Sequence, residues 1–144
     1  DAFGQFGPPL YVTEITIPGS GPDGAALQAE VVTNLYRLWF SIEKMAGITW
    51  WNLPDNTAYG NENSALGGLT DENLNPKPAY EALDRLINQE WKTQFKGTTD
   101  AEGRCAFRGF AGAYEISASV PGGAVRHTTH AIEAGKDGEC VLTP

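Results

Sequence analysis

An almost uninterrupted run of apolar and β-branched residues near the start of the chain, residues 10–17, constrains the fold more than any other stretch. Such a run predicts a buried β-strand, and its continuous apolar character is typical of a parallel strand covered on both faces. Pro18 ends the strand, because proline has no backbone N–H for the ladder. Glu14 interrupts the run, and a buried carboxylate is costly unless it is paired or hydrogen-bonded. The strand alone leaves two interpretations open: a functional carboxylate, or a structural glutamate that is hydrogen-bonded or lies at a frayed strand end.

A helix and a second strand are predicted to follow. Asp23 is placed to cap a helix over residues 25–45, and Gly47 is its expected stop. Apolar residues that recur at spacings of three and four predict the buried face of this helix: Leu27, Val31, Leu35, Leu38, Ile42 and Met45. Residues 48–53 are predicted to form the second strand, which Pro54 closes.

A long polar loop and a last helix complete this part of the chain. The loop, residues 54–75, is rich in Asn, Gly, Asp and Glu, and loops of this length are usually functional or disordered. The two prolines around Lys77 open a helix. Its predicted apolar face consists of Tyr80, Leu83, Leu86, Ile87 and Trp91. Because a right-handed crossover joins parallel strands, Glu14, Trp51 and Asp55 should converge at one edge of the sheet.

Two parallel strands and two helices are too few to cover a parallel sheet. Its open edges would be prone to pair with other strands. We therefore expect this segment to complete a larger sheet or barrel, whose missing part lies upstream of Asp1 or in another chain. In such folds, sites are built at the carboxyl ends of the strands.

The composition changes after about residue 96, where helical periodicity stops and glycine and short alternating runs take over. Alternation over residues 114–120, with partial alternation over 105–110 and short runs at 124–132 and 139–142, predicts a small antiparallel β-sandwich. We find no catalytic constellation in this segment.

The cysteines and histidines of the tail match no metal-binding spacing. Cys105 and Cys140 are disulfide candidates, which would fit a secreted protein, and two buried free thiols are the alternative. His127 and His130 have no third ligand nearby and are expected on the surface of a strand. The sequence therefore predicts no metal site.

The charge balance argues against two classes of partner. The net charge is −8, from 18 acidic and 10 basic residues, and no basic run is present. Nucleic acid and anionic membranes are therefore not expected as partners.

Three motifs, in order and at compatible spacing, resemble glycoside hydrolase family 10, the endo-β-1,4-xylanases. Tyr11-Val12-Thr13-Glu14 is similar to the "ITE" motif of the family's seventh strand. Residues 47–55, GITWWNLPD, are similar to its eighth strand, "GITFWGLAD", and residues 76–80, PKPAY, to the start of its closing helix. The resemblance covers residues 1 to about 92.

The resemblance implies an α/β fold. Residues 1–94 would be a C-terminal fragment of a (β/α)8 TIM barrel, comprising its last two β/α units. Residues 95–144 would be an accessory β-sandwich domain, similar to one appended to some bacterial members.

The resemblance also implies a reaction. Glu14 would be the nucleophile of a retaining enzyme that hydrolyses xylan by double displacement. The acid/base Glu has no counterpart in this chain, so the chain alone is not expected to be active. Trp51 would form an aromatic floor for the sugar, and Tyr59 stands where the family has a Trp. Asn52, which replaces the usual Gly, and Asp55 are further candidate substrate-binding residues.

The implied partners are a β-1,4-linked polysaccharide, xylan, and the remainder of the barrel. No metal or organic cofactor is implied. The implied location is secreted, extracellular or periplasmic, in a bacterium.

Two other functions remain open at this point. One is a non-catalytic carbohydrate-binding or interaction protein, built from a decayed barrel end and the tail domain. The other is a barrel hydrolase that acts on a different β-glycan, which the departures at Tyr59 and Asn52 motivate.

Overall fold

The computed structural model describes residue 5 and residues 7–119 and 122–142, which fall into two compact units. The first unit is Asp1–Glu90 and the second is Trp91–Pro144. The division lies a few residues before the boundary expected at residues 94/95. No helix in the described part of the chain is long and apolar enough to cross a membrane.

Two short parallel strands form the sheet of the first unit. β1 is Leu10–Ile15 and β2 is Met45–Trp50, and they pair in parallel, as the sequence predicts. β2 begins earlier than expected, and Gly47 lies inside it instead of ending the helix. A β-carbon at Gly47 would lie 2.8 Å from Tyr11 Cδ1, so glycine here lets the tyrosine ring lie against the neighbouring strand.

The first helix, α1, is Gly24–Phe40, shorter at its C-terminal end than predicted. Asp23 is its N-cap, but its side chain makes no capping hydrogen bond, and its backbone is left-handed with φ 57°. Ser41 ends the helix, and its hydroxyl donates to Leu38 O. The expected helix beginning is therefore correct, while the expected capping interaction is not formed.

The buried face of α1 is not the predicted apolar stripe. The buried residues lie four apart: Gly24, Gln28, Val32 and Tyr36. Leu27, Val31 and Leu38 of the predicted stripe are exposed, by 57%, 41% and 58%. The observed face includes Gly24 and Gln28, so periodicity favoured the more apolar stripe over it. The packing of α1 against the second helix decides which face is buried in this chain.

The long loop leads into the second helix, α2, Pro78–Arg85, which continues as a π-helical turn, Leu86–Glu90. Within the loop, Gly60–Ala65 forms a 3₁₀ helix. Pro78 lies in the first turn of α2, as expected. The core between the helices is formed by Val32, Tyr36, Ala79, Ala82, Leu83 and Leu86. Tyr80 and Ile87, predicted on the apolar face, are 41% and 48% exposed.

The second unit contains an antiparallel hairpin of β3, Gly112–Ala118, and β4, Arg126–Ile132. Phe107 lies between two other rings, with centroids 5.2 Å from Phe95 and 5.5 Å from Tyr114. The Tyr114 hydroxyl donates to Phe110 O at 2.6 Å. This backbone contact and the ring cluster hold the entry to the hairpin.

The expected β-sandwich is not seen in this unit. Within the described part of the unit, β3 and β4 form its only sheet. Residues 105–110 and 139–142, expected as strands, adopt no strand conformation, because neither run has a partner strand. Cys105, which is exposed, and Cys140, which is half-buried, are free thiols, so the disulfide considered from the sequence is not formed.

Candidate active site

The carboxyl ends of the two parallel strands bring Glu14 and Trp51 to the same edge of the sheet. Ile15, the last residue of β1, pairs with Trp50, the last residue of β2. The Trp51 N–H continues the ladder and donates to Ile15 O at 3.0 Å. Glu14 immediately precedes Ile15, so the placement expected from the crossover is confirmed for Glu14 and Trp51.

Glu14 is exposed instead of buried, contrary to the expectation of a strand covered on both faces. Only Ile15 of β1 is buried, because the two helices of this unit pack mainly on each other and leave most of the strand pair uncovered. Among the described residues, the Glu14 carboxylate has no hydrogen-bond or ion-pair partner. A carboxylate that is open to solvent and has no partner is available to a ligand, and it is not the hydrogen-bonded structural glutamate considered from the sequence. Its position one residue before the end of β1 also fits the alternative of a frayed strand end.

Two aromatic side chains near the end of β2 present open surface. Trp51 is 49% exposed and Tyr59 is 92% exposed. Aromatic rings offer flat apolar surface, with a polar handle at the indole N–H or the phenol. Trp51 adjoins the strand edge, whereas Tyr59 lies further along the loop, just before the 3₁₀ helix.

Asn52 and Asp55, the other two candidate binding residues, point into the protein. Asn52 is 7% exposed, and its Nδ2 donates to Pro54 O at 2.9 Å. Asp55 is 9% exposed; its Oδ1 accepts the Gly68 N–H at 2.8 Å, and both of its oxygens lie 3.1 Å from Lys77 Nζ. These side chains shape the loop behind the exposed edge.

Sequence reasoning did not identify the importance of residues 65–68, a segment that anchors the loop to the rest of the unit. Each of its four carbonyls accepts a hydrogen bond: Ala65 O from Gly19 N (2.9 Å), Leu66 O from Lys77 Nζ (2.7 Å), Gly67 O from Trp50 Nε1 (3.1 Å) and Gly68 O from Gln28 Nε2 (3.3 Å). The donors come from the β1–α1 connection, from β2, from α1 and from the start of α2.

One of these donors carried a signal in the sequence. Lys77 is the N-cap residue of α2, where a cation is disfavoured by the helix dipole. A lysine fixed there between two prolines indicates a nearby carboxylate partner, which is Asp55. Gln28 carried no such signal, because a single polar residue in an amphipathic helix is usually assigned to the solvent face.

A second loop carboxylate, Asp71, holds the turn before α2. Its Oδ1 accepts the backbone N–H groups of Asn73 and Asn75, and its Oδ2 accepts from Asn75 Nδ2, each at 2.8 Å. These hydrogen bonds, the one from the Asn75 side chain first, lower the pKa of Asp71 below its usual value. Within the described ranges, no group of three or more His, Cys, Asp or Glu residues is placed to hold a metal ion.

The comparison with known families agrees with this geometry. The family model described as glycosyl hydrolase family 10 matches residues 1–85, more than half of the chain. The chain belongs to this family. The match includes β1, β2, the long loop and all of α2, and therefore every residue of the candidate site.

Two solved xylanases are similar to the chain. Xylanase 10B from Thermotoga petrophila RKU-1, in complex with xylobiose, is 26% identical with a TM-score of 0.55, over 62% of this chain and 29% of that one. Native xylanase 10B from Thermotoga maritima is 27% identical with a TM-score of 0.51, over 57% of this chain and 28% of that one. The chain thus spans under a third of either xylanase.

One curated relative is not named as a xylanase. Anti-sigma-I factor RsgI6 from Acetivibrio thermocellus is 32% identical over 114 residues. The alignment covers 79% of this chain and 14% of that protein. It is longer than the family match, so the similarity includes part of the second unit.

Proposed function

We propose that this chain supplies one side of the active site of a retaining, xylanase-type glycoside hydrolase. The observation that carries the proposal is Glu14, which lies beside Trp51 at the carboxyl edge of the parallel strands, is exposed, and has no partner among the residues that the structure describes. Family membership supports it, and so does a similar xylanase in complex with xylobiose. The remainder of the barrel, from an upstream segment or another chain, supplies the acid/base Glu.

The reaction needs two carboxyl groups about 5–5.5 Å apart. Glu14 attacks the anomeric carbon and displaces the leaving sugar, whose oxygen takes a proton from the acid/base Glu. This step leaves a glycosyl ester on Glu14. The deprotonated acid/base Glu then takes a proton from water, the resulting nucleophile attacks the anomeric carbon, and the Glu14 carboxylate is released with net retention of configuration.

The exposed site residues contact the substrate, and the buried ones support the loop. Trp51 and Tyr59 provide aromatic surface for β-1,4-linked sugars, with Trp51 under the sugar at the cleavage point. Asn52 and Asp55 support the binding loop from behind, since both side chains face the protein. Because the substrate is an extracellular polymer, this function places the whole protein in a secreted, extracellular or periplasmic location.

Replacement of Glu14 tests the proposal in the whole protein with its complete barrel. Glu14→Gln should abolish xylan hydrolysis with little change in thermal unfolding, because Gln keeps the shape but cannot form the glycosyl ester. Glu43→Gln, at an exposed glutamate beyond the end of α1, is the matched control and should keep full activity. Substantial turnover by a well-folded Glu14→Gln protein would remove Glu14 as the nucleophile.

A chemical rescue distinguishes a nucleophile from any other essential carboxylate. In Glu14→Gly, azide can enter the vacated space and attack an activated aryl β-xylobioside. The product of a lost nucleophile is an α-glycosyl azide, because only one displacement has occurred. A β-glycosyl azide would instead indicate the acid/base position.

A second function has an observation of its own. The relative named as an anti-sigma factor favours a non-catalytic role. In that case the same exposed edge would hold a sugar without turnover. Calorimetry with xylohexaose and an assay for new reducing ends separate the two functions. Binding without hydrolysis by the whole protein would establish the second function, and a panel of other β-glycans identifies a different substrate.

A further inference from the structure

The ion pair between Lys77 and Asp55 lies behind the exposed edge and is almost entirely shielded from water. The two side chains are 11% and 10% exposed. Lys77 Nζ donates to both Asp55 oxygens and to Leu66 O, so its three donors are all used. Asp55 also accepts the Gly68 N–H. Both charges are therefore fully hydrogen-bonded within the loop.

Such a pair is poorly explained by stability alone. Removing two charges from water costs several kcal/mol per ion, and an apolar pair of similar volume is often as stable or more stable. Compared with an apolar pair, the ionic pair adds directional hydrogen bonds. Here those bonds end on the backbone of the 65–68 segment, at Leu66 O and Gly68 N.

The 65–68 segment is hydrogen-bonded to residues at or next to both strands. On the β2 side, Gly67 O accepts from Trp50 Nε1, next to Trp51. On the β1 side, Gln28 Nε2 donates to Gly68 O and, at 2.8 Å, to Ile17 O, in the connection that leaves β1. The segment thus bonds to residues within a few positions of both Glu14 and Trp51.

The segment has almost no space to move. A β-carbon at Gly67 would lie 2.7 Å from Thr16 Cγ2, and one at Gly68 would lie 2.4 Å from Asp55 N. A shift of the segment would therefore press on the Thr16 side chain on one side and on the backbone at Asp55 on the other.

We propose that Lys77 and Asp55 are positioning residues that align Trp51 with Glu14 through the 65–68 segment. The inference deepens the proposed function and rests on it. Neither residue needs to touch the sugar. Their contribution is to hold the aromatic floor and the nucleophile in one relative orientation, and a misplacement of about 1 Å can cost about 100-fold in rate.

The test is a double replacement in the whole protein, Asp55→Leu together with Lys77→Met. The apolar pair removes both charges and keeps similar volume, but it leaves the buried Gly68 N–H without its acceptor. The midpoint of thermal unfolding should therefore fall, and kinetics are measured at a temperature where the variant is folded. We expect kcat on aryl β-xylobioside to fall about 10- to 100-fold with little change in KM, because substrate binding is retained while the reacting groups are misaligned.

The control is a second ion pair of the same unit. Arg37 and Glu90 form an exposed pair at 2.7 Å between the helices, away from the loop. Arg37→Gln with Glu90→Gln should leave kcat and KM unchanged.

Each outcome is decisive. Unchanged kcat in a folded Asp55→Leu/Lys77→Met protein overturns the positioning inference and leaves the proposed function intact. If the double variant unfolds, Lys77→Met alone, at a temperature where it remains folded, gives the same comparison of kcat with KM. Absence of turnover in the wild-type protein overturns the hydrolase proposal and, with it, the positioning inference that rests on it.

Discussion

At the scale of single residues, the site separates into exposed groups that can meet a ligand and buried groups that set the loop. Glu14, Trp51 and Tyr59 are exposed, whereas Asn52 and Asp55 face inward. The motif resemblance treats these residues alike, because it records identity and not direction. Burial and hydrogen bonding separate the residues that can contact a ligand from those that set the loop.

Gly68 is the residue at which the loop tolerates the least change. A β-carbon there would meet the backbone at Asp55 N and Pro54 C, which cannot rotate away as a side chain can. Gly68→Ala should therefore lower the free energy of unfolding by about 1–3 kcal/mol, as overpacking does. Urea unfolding of this chain measures the change.

Gly7→Ala is the matched control for this change. A β-carbon at Gly7 would have no atom within 4 Å. Its stability should be equal to the wild type or slightly higher, because alanine restricts the unfolded chain. Equal stabilities of the two variants would contradict the close packing of the 65–68 segment.

At the scale of elements, the turn that precedes α2 depends on one carboxylate. Asp71 accepts from the Asn75 side chain and from two backbone N–H groups, and these bonds favour its charged form. The pKa of Asp71 is therefore lower in the folded protein than its usual value of 3.8. Its contribution to stability is fully present above the unfolded pKa and is lost as the pH falls through the folded pKa.

Asp71→Asn should reveal this dependence. The variant keeps the shape but has no titrating carboxylate, so it should be less stable than the wild type above about pH 4. The difference should shrink as the pH is lowered below 3.8. Thermal unfolding of both proteins across this range measures it, with Glu43→Gln as the control. A difference that does not vary with pH would contradict the role of the Asp71 charge.

At the scale of the whole molecule, the first unit leaves apolar surface uncovered. Leu27, Val31 and Leu38 on α1 are exposed, and within the described part of the unit each strand has an unpaired edge. The chain also spans 29% of a similar xylanase. Together these observations support a unit that packs against the remainder of a barrel.

Leu38→Gln tests this packing by comparing two contexts. In this chain alone, where Leu38 is 58% exposed, the change should have little effect on stability. In the complete barrel, it should cost about 1.5–3 kcal/mol, the free energy of burying one leucine side chain. Asn34→Gln, at an exposed polar position of α1, should be neutral in both. Equal effects of Leu38→Gln in both contexts would show that the barrel leaves this face uncovered.

The sequence by itself determined the features that depend on neighbours along the chain. The β-branched run and the crossover predicted parallel β1 and β2 with Glu14 and Trp51 at one edge, and the prolines marked the start of α2. Tertiary structure alone decided the features that join distant residues. It selected the buried face of α1, paired Asp55 with Lys77, and left Glu14 open to solvent. Periodicity and propensity describe local backbone and amphipathic character, whereas burial and pairing depend on what packs against each surface.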